Sequence, residues 1–198
     1  SVEMQFLAPV HFGDTVTVTA EVAGCPWNKD HRLVHIGLQG RRLAQGQLRL
    51  AGLPAHTLGA TVVKELLKRT GLKTDQIDEV ILGQVLTAGQ GQNPARQAHI
   101  NAGLPKESAA WGINQVCGSG LRAVALGAQH IMLGDAEIVM AGGMENMSLA
   151  PYLLPAARFG QRMGSGKMLD MMLVDGLLDP DTGIHMGDIT EAWIERHQ

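Results

Sequence analysis

The sequence predicts an α/β fold, a layered arrangement around a mostly parallel sheet, preceded by an antiparallel β segment. Three observations predict it. From residue 54 onward, segments of helical period alternate with short, wholly apolar runs. Such runs suit strands covered on both faces, as parallel sheets require. Before residue 52 the period is two: in 14–22 Val and Thr alternate, the pattern of a half-buried strand. The composition also shifts there. Only Met4 of the ten Met residues and five of the 25 Gly residues lie in 1–51, which divides the chain into a β-rich segment 1–51 and an α/β unit 52–198.

Taken in order, Met4–Pro9 is a candidate strand, and Gly13-Asp14 a turn before the strand Asp14–Val22. Gly24, Pro26, Asn28 and Asp30 predict a loop, His31–Leu38 a second strand, Gly40–Arg42 a turn and Leu43–Leu50 a third strand. The result is an antiparallel meander of three or four strands. Pro54–Thr70 carries Leu58, Val62, Val63, Leu66 and Leu67 at helical spacing, with Gly71 as the stop. Val80–Val85 reads as a buried strand and Pro94–Ala102 as a helix ending at Gly103. Ala109–Val116 is the next strand, Gly118–Leu133 a helix ending at Gly134, and Glu137–Ala141 a further strand. Residues 150–198, rich in Gly, Met and Asp, predict long loops with short helices.

Composition narrows the function. The chain is 45% hydrophobic and 18% charged, with a net charge of −3, so it can bury a core and is not a disordered tail. A pI of about 6.2 argues against nucleic-acid and anionic-membrane partners. No apolar run reaches the ~18 residues of a membrane span, and the N-terminal residues lack the basic-then-apolar pattern of a signal peptide. Two cysteines cannot build a disulfide framework, which points to a reducing, cytoplasmic compartment.

Cys117 is the most informative residue. It follows the strand ending at Val116 and precedes a Gly-Ser-Gly-Leu helix start. A thiol at a helix N-terminus feels unpaired N–H groups and the macrodipole, which favour the nucleophilic thiolate. Gly118 and Gly120 leave room for a substrate carbonyl to reach backbone N–H groups, an oxyanion hole. The competing reading is a small buried hydrophobe; the strand–Cys–Gly-x-Gly–helix context favours the nucleophile.

Other motifs are weaker. Gly118-x-Gly120-x-x-Ala123 fits a loose dinucleotide fingerprint. Its acid should end the next strand, however, and Asp135 and Glu137 stand at the opposite end, before Ile138–Ala141, leaving Glu145 as a displaced candidate. Gly164-Ser165-Gly166-Lys167 fails as a phosphate loop, with Gln161 and Met168 at the required Gly and Ser/Thr positions. His185 and Met186, in a Gly-flanked loop, are either pocket-lining or simply exposed. His31 and His35 fall in a strand and read as surface residues, and Cys25 as an inert loop thiol. No His, Cys and carboxylate spacing suggests a metal, so none is expected.

The block Asn114-Gln-Val-Cys-Gly-Ser-Gly-Leu-Arg-Ala-Val-Ala-Leu-Gly127 closely resembles the nucleophile motif of thiolases. Val80–Gly89, Gly91–Gln97, Asp135–Val139, Ala141–Ser148, Val174–Leu177 and His185–Gly187 resemble further thiolase blocks, in thiolase order. The resemblance covers about 53–187 and is closest to the acetyl-CoA acetyltransferase type, in its N-terminal half. It implies a thiolase-like fold and a ping-pong acyl transfer in which Cys117 takes the acyl group of an acyl-CoA, its backbone N–H helping to bind the oxyanion. Leu177 matches a coenzyme A contact, and His185 and Met186 match residues beside the pantetheine and the acyl methyl. Asn93–Gln97 matches a part of the family near the dimer contact. The coenzyme A thioester is a substrate, no tightly bound cofactor is implied, and the implied assembly is a homo-oligomer, a dimer or tetramer.

In thiolases a second Cys and a Gly-His-Pro histidine complete the cycle; the sequence contains neither that tripeptide nor a second Cys in a Gly-rich context. The chain is therefore expected to be incomplete for the full reaction, with a non-catalytic fragment that binds coenzyme A or a partner as the alternative. The family's first strand should precede residue 52, and Leu33–Ile36 is the candidate. Residues 1–51 resemble the C-terminal strands of MaoC-like hot-dog enoyl-CoA hydratases, through Phe6–Val16 and Leu43–Gln47. A hot-dog acyl-CoA hydratase relative is thus a further alternative, without that family's Asp and His motif.

Overall fold

The computed structural model describes the backbone of 14–25 and 28–42, and residues 52–197 in full. Strand β1 (Asp14–Cys25) runs antiparallel to β2 (Asn28–Arg42). Both exceed the predicted strands. The expected turn at Gly40–Arg42 is instead strand, because Val16, Thr15 and Asp14 continue the register opposite Gly40, Arg41 and Arg42. Cys25 ends β1 at a register shift rather than lying in a longer loop. The expected strands Met4–Pro9 and Leu43–Leu50 lie outside the described residues.

A five-stranded sheet follows the order β1-β2-β5-β3-β4, where β3 is Glu79–Gly83, β4 Ala109–Ile113 and β5 Ile138–Gly143. Only the β1–β2 pair is antiparallel. Arg32–His35 pair in parallel with Ile138–Ala141, so Leu33–His35 of the candidate Leu33–Ile36 stand beside β5.

Three helices cover the sheet. Helix α1 (Ala55–Thr70) stops at Gly71, whose φ of 68° is the left-handed C-cap that a side chain would strain. Helix α2 is Pro94–Asn101, and α3 (Ser119–Leu133) stops at Gly134. The strands alternate between two cores. Val80, Leu82 and Met140 join Val63, Leu66 and Ala98 of α1 and α2 on one face. Ile81, Val139 and Ala141 join Ala123 and Ile131 of α3 on the other. Each fully buried Val, Leu, Ile or Met among them contributes roughly 1.5–3 kcal/mol, so neither face of β3 or β5 has room for polar alternation.

Strand ends shift from the predicted ones for identifiable reasons. Strand β3 stops at Gly83 because the Val85 and Leu86 N–H groups turn to the Glu145 carboxylate. Strand β4 stops at Ile113 because Asn114 and Val116 turn the chain. Strand β5 starts at Ile138, after Asp78 Oδ2 accepts both the Glu137 and Ile138 N–H groups. Beyond residue 150, β6 (Tyr152–Leu153) and β7 (Leu169–Asp170) form an antiparallel pair, Met172–Leu177 a π-helical turn, and α4 spans Met186–His197. The predicted short helices are thus joined by one of 12 residues.

Candidate active site

Strands β3, β4 and β5 all end at one edge of the sheet, the C-terminal edge where α/β proteins place their sites. The chain leaves β4 there, passes through Cys117 and enters α3 at its N-cap Gly118. Cys117 is exposed, which removes the buried-hydrophobe reading. Helix α3 approaches this edge closely because the sheet carries no side chain there. A Cβ on Gly83 would lie 2.5 Å from the Ser119 carbonyl carbon and 2.6 Å from the Gly120 nitrogen. Across from it, a Cβ on Gly143 would lie 3.4 Å from the Gly120 Cα.

The turn itself is held in an unusual conformation. Val116 has φ 49° and is half exposed; a β-branched residue rarely enters this region. The Val116 N–H donates to Asn114 Oδ1 at 2.9 Å. The Val116 carbonyl accepts from the Ser119 N–H at 3.1 Å and from the Ser119 hydroxyl. The same hydroxyl accepts from the Gln115 N–H at 2.8 Å. Neither Asn114 nor Ser119 stood out in the sequence except as part of the nucleophile block. Their bonds to the Gln115 and Val116 backbone depend on the turn that only the structure shows.

Neighbouring polar residues fasten the same edge. Glu145 Oε2 receives the Val85 and Leu86 N–H groups at 2.8 and 3.2 Å, so this carboxylate is a brace between β5 and the segment after β3, not a ribose acceptor. Gln84, 5% exposed, donates to the Leu86 carbonyl and to Gln90 Oε1. Asn93, at φ 43°, caps α2 by accepting the Arg96 N–H at 3.0 Å, and its amide donates to the Ala110 carbonyl at 3.0 Å. Arg96 grips the Ser108 and Lys106 carbonyls, and Gln97 those of Gln90 and Gln92. The block 91–97 therefore has a structural explanation of its own. An open cavity of about 430 Å³, lined in part by Trp111, Asn114, Met144 and Asn93, lies between this block and the end of β4.

The remaining candidates fall on the segment after β7. Leu177 is half-buried at the end of the π-helical turn. Its neighbour Gly176 faces Leu86: a Cβ there would sit 3.6 Å from Leu86 Cδ2. His185 is half-buried and bridges to Leu178. Its Nδ1 accepts the Gly187 N–H at 3.0 Å, which caps the start of α4. Met186 is 45% exposed. No hydrogen bond among the described residues links these three to Cys117. The Gly164–Lys167 stretch lies in the exposed loop between β6 and β7 and opens no helix.

Two polar groups away from this edge, one buried and one half-buried, also have defined partners. His99 is fully buried, donates through Nε2 to the Pro105 carbonyl at 2.8 Å, and is pushed below the ordinary imidazole range first by burial, with the Arg96 charge adding to it. His130 Nδ1 donates to Glu79 Oε2 at 2.6 Å, and the Trp111 indole N–H donates to the other oxygen. Among the described residues no group of three or more His, Cys, Asp or Glu is placed to hold a metal, and no helix is long and apolar enough to cross a membrane.

Comparison with known proteins identifies this architecture. Residues 39–198 match the family described as thiolase, N-terminal domain. The chain is 60% identical over 148 residues to the acetyl-CoA acetyltransferase of Pseudomonas aeruginosa, covering 75% of this chain and 38% of that protein. It is 62% identical over 141 residues to the acetyl-CoA acetyltransferase of Paracoccus denitrificans, covering 71% and 36%. A thiolase from Ascaris suum, solved in complex with coenzyme A, superposes with a TM-score of 0.71 at 39% identity, over 76% of this chain and 39% of that one. The chain thus spans well under half the length of these relatives. The family match begins inside 1–51, and β2 is bonded to β5, so the hot-dog resemblance of that segment gains no support. The chain belongs to the thiolase family, within its N-terminal domain.

Proposed function

We propose that this chain carries the acyl-accepting half of a thiolase-type acyl-CoA acyltransferase, of the acetyl-CoA C-acetyltransferase kind. The observation that carries the reading is the exposed Cys117 on the turn into α3, within a chain about 60% identical to acetyl-CoA acetyltransferases. In the proposed step the Cys117 thiolate attacks the thioester carbon of an acyl-CoA, and the carbonyl electrons move onto oxygen, where the Cys117 backbone N–H meets them. Collapse of that adduct breaks the bond to coenzyme A, whose thiolate leaves and takes up a proton. An acyl-Cys117 thioester and free coenzyme A result.

Leu177, His185 and Met186 are proposed substrate contacts. The solved relative in complex with coenzyme A supports a coenzyme A thioester as substrate. The reading includes a homo-oligomer, a cytoplasmic location and a role in fatty acid metabolism, with 1–51 as a β-rich segment before the thiolase-like 52–198. The non-catalytic fragment and the hot-dog hydratase relative are not favoured, given the family match and the relatives' names. Intact mass after incubation with acetyl-CoA tests the proposal: one acetyl group is expected on the parent chain and none on Cys117→Ala.

A further inference from the structure

We propose that Ser119 is a positioning residue: its hydroxyl locks Val116 in the left-handed region and so sets the direction in which Cys117 presents its thiol. The inference rests on the reading of Cys117 as nucleophile. A valine at φ 49° is unfavourable because its Cβ crowds the backbone. Such a residue persists only where its surroundings over-determine it. Here they do. The Ser119 hydroxyl accepts from the Gln115 N–H and donates to the Val116 carbonyl, closing the turn from both sides. The Asn114 side chain takes the Val116 N–H. Ser119 is 4% exposed, so water does not compete for these bonds. Its backbone is pressed against Gly83, where even a methyl group would lie 2.5 Å from its carbonyl carbon. The hydroxyl therefore sits on a fixed support. Val116 immediately precedes Cys117, so a change in its φ re-aims everything from its own carbonyl to the cysteine.

Without the hydroxyl, the Gln115 N–H loses its acceptor and the Val116 carbonyl keeps only the Ser119 N–H. Val116 then relaxes towards negative φ, and the thiol swings away from its approach line. Glycine has no such preference, so Val116→Gly removes the need for the lock.

The test compares the parent chain with S119A, V116G and the double variant V116G/S119A. Acylation of Cys117 by saturating acetyl-CoA is followed by intact mass, alkylation by iodoacetamide gives the bare thiol reactivity, and NMR coupling constants report φ at Val116. Misplacement of a reacting group costs up to about 100-fold. Acylation in S119A is therefore expected to slow at least about tenfold while alkylation stays within about threefold. The double variant recovers the V116G rate, and Val116 leaves positive φ in S119A only. Acylation of S119A at the parent rate, a Val116 φ unchanged in S119A, or a double variant no better than S119A each overturns the inference. If S119A does not fold, a folded and acylating double variant supports the inference and an unfolded one overturns it. A parent chain that takes no acetyl group defeats the proposed function alone; the φ of Val116 in S119A still decides the lock.

Discussion

Gly83 and Ser119 are the contact through which the sheet sets the position of the turn that carries Cys117: the end of β3 meets the first residue of α3 with no side chain between them. Replacing Gly83 by Ala puts a methyl group 2.5 Å from the Ser119 carbonyl carbon and 2.7 Å from its Cβ. The helix must move. Such overpacking costs about 1–3 kcal/mol, and Gly83→Ala is expected to lower the urea midpoint accordingly. Acylation of Cys117 should fall with it.

Glu145 makes a second fastening, between the end of β5 and the segment after β3. Glu145→Ala leaves the Val85 and Leu86 N–H groups without an acceptor, at a cost of about 1–3 kcal/mol for each group. Glu145→Gln keeps one oxygen to receive them and should cost less than half as much. Urea unfolding of the two variants measures the difference, and equal losses would show that the carboxylate's role is not that of an acceptor.

His99 gives a pH dependence. Burial holds its folded pKa below the ordinary 6.5, while the unfolded imidazole titrates near that value. Between the two values the unfolded chain binds more protons, so stability rises with pH. The contribution is complete above about 6.5 and is lost as pH falls below it. Glu65, lowered first by its hydrogen bond to Arg69, and Asp179, lowered first by Thr182, also lose stability on acidification, but below the carboxylate range near 4. Thermal unfolding between pH 7.5 and 5.5 should show a flatter slope for His99→Gln than for the parent.

His185 separates a cap from a substrate contact. His185→Ala removes the acceptor of the Gly187 N–H and is expected to cost about 0.5–2 kcal/mol, with loss of helical circular dichroism from α4. His185→Asn restores a cap. If it restores the helix but not the acylation rate, the imidazole has a role beyond capping.

Helices α1, α2 and α3 were legible because periodic apolar residues and terminal glycines are local signals; Gly71 and Gly134 sit at the left-handed caps the sequence marks. The apolar runs of β3 and β5 gave the parallel strands for the same reason. Strand ends were less legible, since β3 stops where Glu145, sixty residues on, takes the Val85 N–H. The extent of β2 was missed because Gly40–Arg42 has turn composition and only the pairing with β1 makes it strand. At the site, the placement of Cys117 between strand and helix was legible, because both flanking elements carry local signals. Ser119 and the left-handed Val116 were not, because a serine in Gly-Ser-Gly looks like a spacer until its hydroxyl is seen between two backbone groups.

The most direct test of the central claim is the intact mass of the parent chain and of Cys117→Ala after incubation with acetyl-CoA, with the modified residue located by peptide mapping. The parent is expected to gain one acetyl group, on Cys117, with release of free coenzyme A, and the variant to gain none while unfolding at the parent's urea midpoint. A folded parent that stays unmodified, or a Cys117→Ala chain that is acetylated as readily, would contradict the assignment of Cys117 as the acyl-accepting nucleophile.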